Sequence, residues 1–299
     1  MSVGYLLVGL AAALWGSIGV IGKGLFQQGL DPLTVSTARA GFTFLAMVAL
    51  AAGYNRRLLV VEKRDMGFFV LYGLVSVAVY NFAYLSAIQK TTVATAVVLL
   101  YTAPAFVAVF SYYFLGEAFT GAKAACLLFT LAGCFLVVKG YDAGALRLNG
   151  PGIAAGLGAG LTYALFSIFG KKGLARYHPW TVVLYSQGFG ALFLLAASRP
   201  WRLFAEGHPP EVWIRLGALA LICTVAANSS YIMGLKRLEA SRASITATLE
   251  PVVAAVLAYL LLGETMEGWQ VLGILVVVSA VVMLQRAPSS RRQEAGHNV

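Results

Sequence analysis

The sequence predicts an all-α integral membrane protein with ten transmembrane helices in two inverted five-helix repeats. Three observations carry that prediction. Of 299 residues, 60% are hydrophobic and only 11% charged, with a mean hydropathy of +0.80. A water-soluble domain carries about a quarter charged residues, so this chain lacks the polar surface that water requires. The apolar residues fall into ten long blocks between short polar breaks, and the chain resembles itself at a constant offset of 147 residues.

About 20 helical residues, rising about 1.5 Å each, cross the roughly 30 Å hydrocarbon layer. Blocks of that order lie at 4–22, 33–53, 67–88, 93–115 and 121–139, and again at 151–170, 180–198, 213–233, 243–262 and 268–285. None alternates with the period of a barrel strand, and all exceed a strand's length, so all ten read as helices. The first has no basic side chain over Met1 to Tyr5 and no cleavage pattern, so it is expected to stay as a span rather than be removed as a signal peptide. Only the segments Tyr54 to Met66 and Ser198 to Val212 have room for a small surface element. The expected domains are therefore 1–140, a first five-helix unit, 141–286, a second, and 287–299, a basic disordered tail.

The formal charge of +10 is placed as an orientation signal, not as a nucleic-acid surface. One side of the membrane receives Arg56, Arg57, Lys63, Arg64, Lys123, Lys171, Lys172, Arg176, Lys236, Arg237, Arg242 and the tail arginines. The other receives Lys23, Lys90, Lys139, Arg147, Arg199, Arg202 and Arg215. The richer side is expected to be cytoplasmic and holds both termini, in the inner (plasma) membrane.

The repeat runs without gaps. Asp31-Pro32 matches His178-Pro179, Gly41 matches Gly188, Asn81 and Tyr84 match Asn228 and Tyr231, Pro104 matches Pro251, and Leu115-Gly116-Glu117 matches Leu262-Gly263-Glu264. Five spans per unit is an odd number, so the second copy enters the membrane from the opposite side. Two like units of opposite orientation can exchange conformations around a midplane site, which argues for transport rather than anchoring.

Leu249-Glu250-Pro251 followed by Leu262-Gly263-Glu264, with Leu14-Trp15-Gly16-Ser17 and Arg39 in the first half, resembles the EamA family of the drug/metabolite transporter superfamily. The resemblance covers nearly the whole chain. It implies a central cavity lined largely by helices 1, 3, 4, 6, 8 and 9. It also implies export or exchange of amino acids, related metabolites or amphipathic drugs. A lipid-linked substrate flippase or a multidrug cation efflux carrier of the same fold is the alternative. The expected partners are a small-molecule substrate, membrane lipid and, as a coupling ion, protons.

Glu250 is the sharpest candidate. A carboxylate near the centre of a span costs about 2.5–3.5 kcal/mol on insertion scales unless it faces a cavity or a partner. It reads either as a coupling carboxylate or amine counter-ion, or as a structural group paired with Arg39. Arg39 itself reads first as a structural ion-pair member, because its repeat counterpart is Ser186. Pro251 and Pro104 remove the amides that would bond Ala247 and Leu100 carbonyls, which makes both hinge candidates. Thr224, Asn228 and Tyr231 share one helical face, and Asn81 and Tyr84 repeat it. These polar groups suit substrate binding and helix-to-helix hydrogen bonding equally. Trp15, Tyr101, Tyr163 and Thr246 complete the candidate binding set, with Tyr80 and Phe166 as further aromatics. Gly152, Gly156 and Gly160 read as a helix-packing stripe. Glu117 and Glu264 end helices 4 and 9 at opposite faces, which suits gating as well as solvated loop carboxylates, and the latter reading leads.

Chemistry of other classes finds no members. Gly16-Ser17-Ile18-Gly19 is not an intramembrane-protease nucleophile pattern, and His178, His208 and His297 all lie outside the spans. Cys126, Cys134 and Cys223 sit inside spans without metal spacing and read as small packing residues. No phosphate-binding loop occurs. The expectation is a carrier without catalytic residues, metal or cofactor.

Overall fold

The computed structural model describes residues 2–144, 146, 148–198 and 201–287. The expectation of a disordered tail falls on residues outside these, apart from Ala287. We label the spans α1 (Val3–Gln27), α2 (Pro32–Tyr54), α3 (Lys63–Lys90), α4 (Val93–Leu115), α5 (Gly121–Val137), α6 (Gly150–Gly173), α7 (Pro179–Ala197), α8 (Pro210–Arg237), α9 (Ala240–Leu262) and α10 (Gly268–Arg286). Nine are long and apolar enough to cross a membrane, and α5, with 17 residues, is the short tenth. The two longer connections hold a 3₁₀ turn at Arg56–Leu59 and a short helix at Trp201–Ala205.

The helices interlock across the halves. α1 packs on α8 and α9, and its counterpart α6 packs on α3 and α4. α2 packs on its counterpart α7, and α5 on its counterpart α10. Exchanging the halves therefore maps these pairings onto themselves, as an inverted repeat requires.

Interruptions of the helices also repeat. α4 breaks into Val93–Leu100 and Ala103–Leu115, and α9 into Ala240–Ala247 and Leu249–Leu262. Each break lies just before its proline, where the ring removes one donor from the ladder. Hydroxyls help fill the gaps: Thr102 Oγ1 donates to Leu99 O at 2.6 Å and Thr248 Oγ1 to Ile245 O at 2.6 Å. α3 and α8 each contain one π-helical stretch, Leu74–Val79 and Leu221–Ala226, at equivalent positions. Such stretches widen the helix and concentrate at functional sites.

The Leu-Gly-Glu triplets end α4 and α9 in left-handed caps, with Gly116 at φ +66° and Gly263 at φ +67°. The following amides close back six residues, Glu117 N to Ser111 O and Glu264 N to Ala258 O. A side chain at either glycine would be strained, which explains the pair. The α6 stripe packs against α4: a methyl placed on Gly156 would meet Leu99, and one on Gly160 would meet Thr102 Oγ1 and the Leu99 carbonyl.

Candidate functional site

The interruptions and the crossing of α1, α3, α6 and α8 leave a central cavity of about 90 Å³. Trp15 and Ile18 of α1, Arg39 of α2, Ser76, Val77, Tyr80 and Asn81 of α3 and Tyr163 and Phe166 of α6 line it. Gln187 of α7, Cys223, Thr224 and Asn228 of α8 and Glu250 of α9 complete the wall. Both π-helical stretches contribute, through Ser76 and Val77 in one half and their counterparts Cys223 and Thr224 in the other.

Glu250 is the second residue of the Leu249–Leu262 segment of α9, beside the proline break, and accepts a hydrogen bond from the Tyr163 hydroxyl at 3.3 Å. Asn228 Oδ1 accepts from Trp15 Nε1 at 3.1 Å, which fixes the indole across the cavity between Tyr163 and Tyr231. Tyr80 bridges to the same wall, stacking with Tyr84 at 6.0 Å and lying 5.7 Å from Tyr163. Asn81 Nδ2 donates to Val77 O at 2.7 Å, and Thr224 Oγ1 to Leu219 O at 2.9 Å, five residues back in the π register.

Of the residues singled out in the sequence, Glu250, Asn228, Asn81, Trp15, Tyr163, Thr224 and Arg39 meet at this cavity. Four of the candidate binding residues do not line it, nor do the hinge candidates Pro104 and Pro251. Tyr231 is hydrogen-bonded to Ser167 at 2.6 Å behind Trp15. Tyr84 stands behind Tyr80, Tyr101 packs with Cys134 and Val252, and Thr246 Oγ1 donates to Arg242 O at 2.8 Å. No α4 residue lines the cavity, whereas α2 and α7 both do, so the lining set differs from the six helices that family resemblance implies. Arg39 accordingly stands at the site and not on the periphery, and among the described residues no ion pair within 4 Å includes it. Ser76 and Gln187 went unnoticed in the sequence, where a single serine or glutamine in an apolar helix looks like ordinary packing.

A buried polar cluster ties the helices together at the end of the molecule where α1 begins and α10 ends. Glu117 is buried, at 9% exposure, and its carboxylate accepts from the backbone amides of Ala240 and Ser241 and from Ser241 Oγ at 2.6 Å. It thus caps the start of α9 from the other repeat, where the free amides and the helix dipole favour an anion. Around it, Glu239 pairs with Lys123 and Arg242, both at 2.8 Å. The Arg242 guanidinium donates onward to Tyr5 Oη at 3.0 Å and to the Leu284 carbonyl at 2.8 Å. α1, α4, α5, α9 and α10 are joined there. Glu117 is not the solvated loop carboxylate that the sequence suggests, because the start of α9 from the other repeat packs against it and offers its free amides. Its counterpart Glu264 does match that reading: it pairs with Lys23 at 3.2 Å, and the two are 56% and 44% exposed. The equivalent helix start, at Val93, is capped instead by Thr92, whose Oγ1 accepts from Thr95 N at 3.1 Å.

A second, larger hollow of about 520 Å³ lies between α2 and α7, among Phe42, Phe44, Leu45, Phe189, Leu192 and Phe204. It shares no residue with the central cavity and offers almost nothing polar to orient a metabolite. Among the described residues no cluster of His, Cys, Asp and Glu could hold a metal.

An apolar ten-helix shell, an internal inverted repeat and a polar central cavity are the architecture of a multi-pass membrane transporter. The chain belongs to the EamA-like transporter family, within the drug/metabolite transporter superfamily: that family's model matches residues 2–139 and again 150–286. An uncharacterised transporter of Archaeoglobus fulgidus is 29% identical, over 96% of this chain and 97% of the relative. The inner membrane transporter YicL of Salmonella typhimurium is 26% identical over 98% of both. The threonine/homoserine exporter RhtA of Escherichia coli is 28% identical over 92% of this chain and 88% of its own length. A solved crystal structure shares the fold, with a TM-score of 0.80 at 19% identity over 95% of this chain and 96% of that one.

Proposed function

We propose that the chain is a secondary transporter that exports or exchanges small metabolites such as amino acids, amines or carboxylates. It works by alternating access of its two halves. The observation that carries this reading is the unequal state of the two Leu-Gly-Glu carboxylates. Local sequences that match across the repeat end in a buried clamp at the terminal face and an exposed ion pair at the other. Inverted units that exchange conformations give such an inequality in any one state, and reverse it in the mirror state. The likeness to threonine/homoserine exporters supports amino acids within the substrate class.

Glu250 is the main charged contact, as counter-ion for a substrate amine or as carrier of a coupling proton. Pro104 and Pro251 are the hinges. The basic terminal face is cytoplasmic in the inner membrane, with α1 oriented accordingly.

Uptake and counterflow in proteoliposomes, with amino acids, amines and carboxylates and with or without a pH gradient, tests the proposal. Saturable counterflow of at least one class is expected, and Glu250→Gln removes the response to the pH gradient if that carboxylate carries the proton. Unchanged flux and unchanged pH response in the variant would take Glu250 out of the mechanism. Movement of an amphipathic dye or a lipid-linked substrate with no metabolite exchange would contradict the substrate class.

A further inference from the structure

Three polar side chains at the central cavity make no hydrogen bond among the described residues. Ser76, 5% exposed, lies in the π-helical stretch of α3, and its hydroxyl is buried without a hydrogen bond. Gln187 of α7 is 6% exposed, and its amide makes no hydrogen bond among the described residues. Arg39 of α2 lines the same cavity with no carboxylate within 4 Å among the described residues, although the Glu250 carboxylate acts on its charge from farther off. A polar group without a hydrogen bond is unfavourable away from water, and a charged one more so. Around one small space these three present donors and a positive charge to an anion that enters.

The repeat provides an internal control for whether the scaffold needs these groups. Counterparts across the 147-residue offset are Ser186 for Arg39, Cys223 for Ser76 and Ala40 for Gln187. Ser186 Oγ is satisfied by Val183 O at 3.1 Å, Cys223 Sγ meets Ser17 Oγ at 3.3 Å, and Ala40 has nothing to satisfy. The scaffold is therefore built at these three counterpart positions without a partnerless polar group, although Ser198 and Ser229 elsewhere in the second half each bury an unbonded hydroxyl.

From this we infer that Arg39, Ser76 and Gln187 form a carboxylate subsite, and that the solute is a small zwitterion whose ammonium is met by Glu250. The inference rests on the proposed transport function and narrows its substrate class. Guanidinium offers a planar fork that matches a carboxylate in two parallel hydrogen bonds, and the serine hydroxyl and glutamine amide add donors beside it. Glu250 lines the same cavity, which disfavours a multiply charged anion such as phosphate and balances a zwitterion. A cavity of about 90 Å³ keeps both ends of one small solute in reach of both walls. Trp15, Tyr163 and Phe166 leave the side-chain portion an apolar and aromatic surface.

The test compares each of a set of common α-amino acids with its methyl ester, which keeps the ammonium and loses the carboxylate charge. Binding is read as thermal stabilisation of the purified full chain, and flux as counterflow in proteoliposomes. Wild type is expected to favour at least one acid over its ester by about tenfold or more in half-saturating concentration. Ser76→Ala and Gln187→Leu reduce that preference several-fold. Arg39→Gln abolishes it by weakening the acid while sparing the ester, and Arg39→Lys restores part of it. Equal affinity of wild type for acid and ester, or stabilisation by esters only, overturns the subsite whether or not Arg39→Gln folds. So does the failure of every carboxylate-bearing member to bind. Acid-selective binding without counterflow would support the subsite and contradict transport. Counterflow without acid preference would do the reverse.

Discussion

Trp15 and Asn228 show how single side chains set the cavity. The indole donates across 3.1 Å to the amide oxygen and lies 5.1 Å from Tyr231, so one hydrogen bond holds a large ring at a fixed tilt. Trp15→Phe keeps most of the packing and removes the donor. It is expected to cost on the order of 1 kcal/mol in stability, the scale of a hydrogen bond between membrane helices. A larger effect is expected on half-saturation in counterflow, since the ring is freed to move; equal loss of stability and transport would make it a packing residue. At the opposite face from the termini, Glu267 accepts from Lys139 Nζ and from Tyr141 Oη, both at 2.6 Å, and the ammonium first, then the hydroxyl, hold its carboxyl below the usual range. A depressed folded pKa gives stability present above the unfolded value near 4.5 and lost as pH falls through the folded one. Unfolding of the purified protein followed across acid pH should therefore lose part of its pH dependence in Glu267→Gln. Glu250 was legible from sequence because a midspan carboxylate is expensive wherever it lies. Arg39 was legible as a group needing an anion, but not as one that shares a cavity with Glu250 without closing to within 4 Å of it. Ser76 and Gln187 were silent, since whether a neutral polar group is satisfied depends on neighbours far away in the chain.

At the scale of elements, the prolines, glycine caps and glycine stripe were readable because each has a local cause. Pro104 and Pro251 break α4 and α9, and Gly116 and Gly263 take the left-handed cap. Gly156 meets Leu99 across the α4–α6 contact, so Gly156→Leu should push the helices apart and cost about 1–3 kcal/mol, as overpacking does. Thermal unfolding in detergent checks it, and an unchanged transition would mean that the two helices approach less closely. The π-helical stretches and the burial of Glu117 were not readable. The matching stretch in α8 has a different sequence, Leu221–Ala226 against Leu74–Val79, so no shared residue pattern signals either. The Leu-Gly-Glu triplet is identical in both halves, yet one carboxylate caps a buried helix start and the other faces water. Identical local chemistry with different surroundings reflects the arrangement of whole halves, which no local pattern encodes.

For the whole molecule, the inverted repeat supplies two equivalent arrangements, and the differences between halves supply the site. Helix pairings map onto themselves under exchange of the halves, whereas Glu250 corresponds to Ala103 and Arg39 to Ser186. In the proposed alternation, the clamp of Glu117 on Ala240 and Ser241 is the contact that would hold one of the two arrangements. The most direct test places spin labels, in a cysteine-free background, at two pairs of exposed positions equivalent under the repeat. Ala118 and Arg237 lie at the terminal face, and Thr265 and Lys90 at the other. Pulsed dipolar distance distributions are then compared in the absence and presence of Glu117→Gln, which takes the charge from the clamp. The account predicts that the Ala118–Arg237 distance lengthens while the Thr265–Lys90 distance shortens, in the same fraction of molecules. A change at the terminal face alone, or no change at either, in protein that still exchanges substrate would contradict alternation of the two halves.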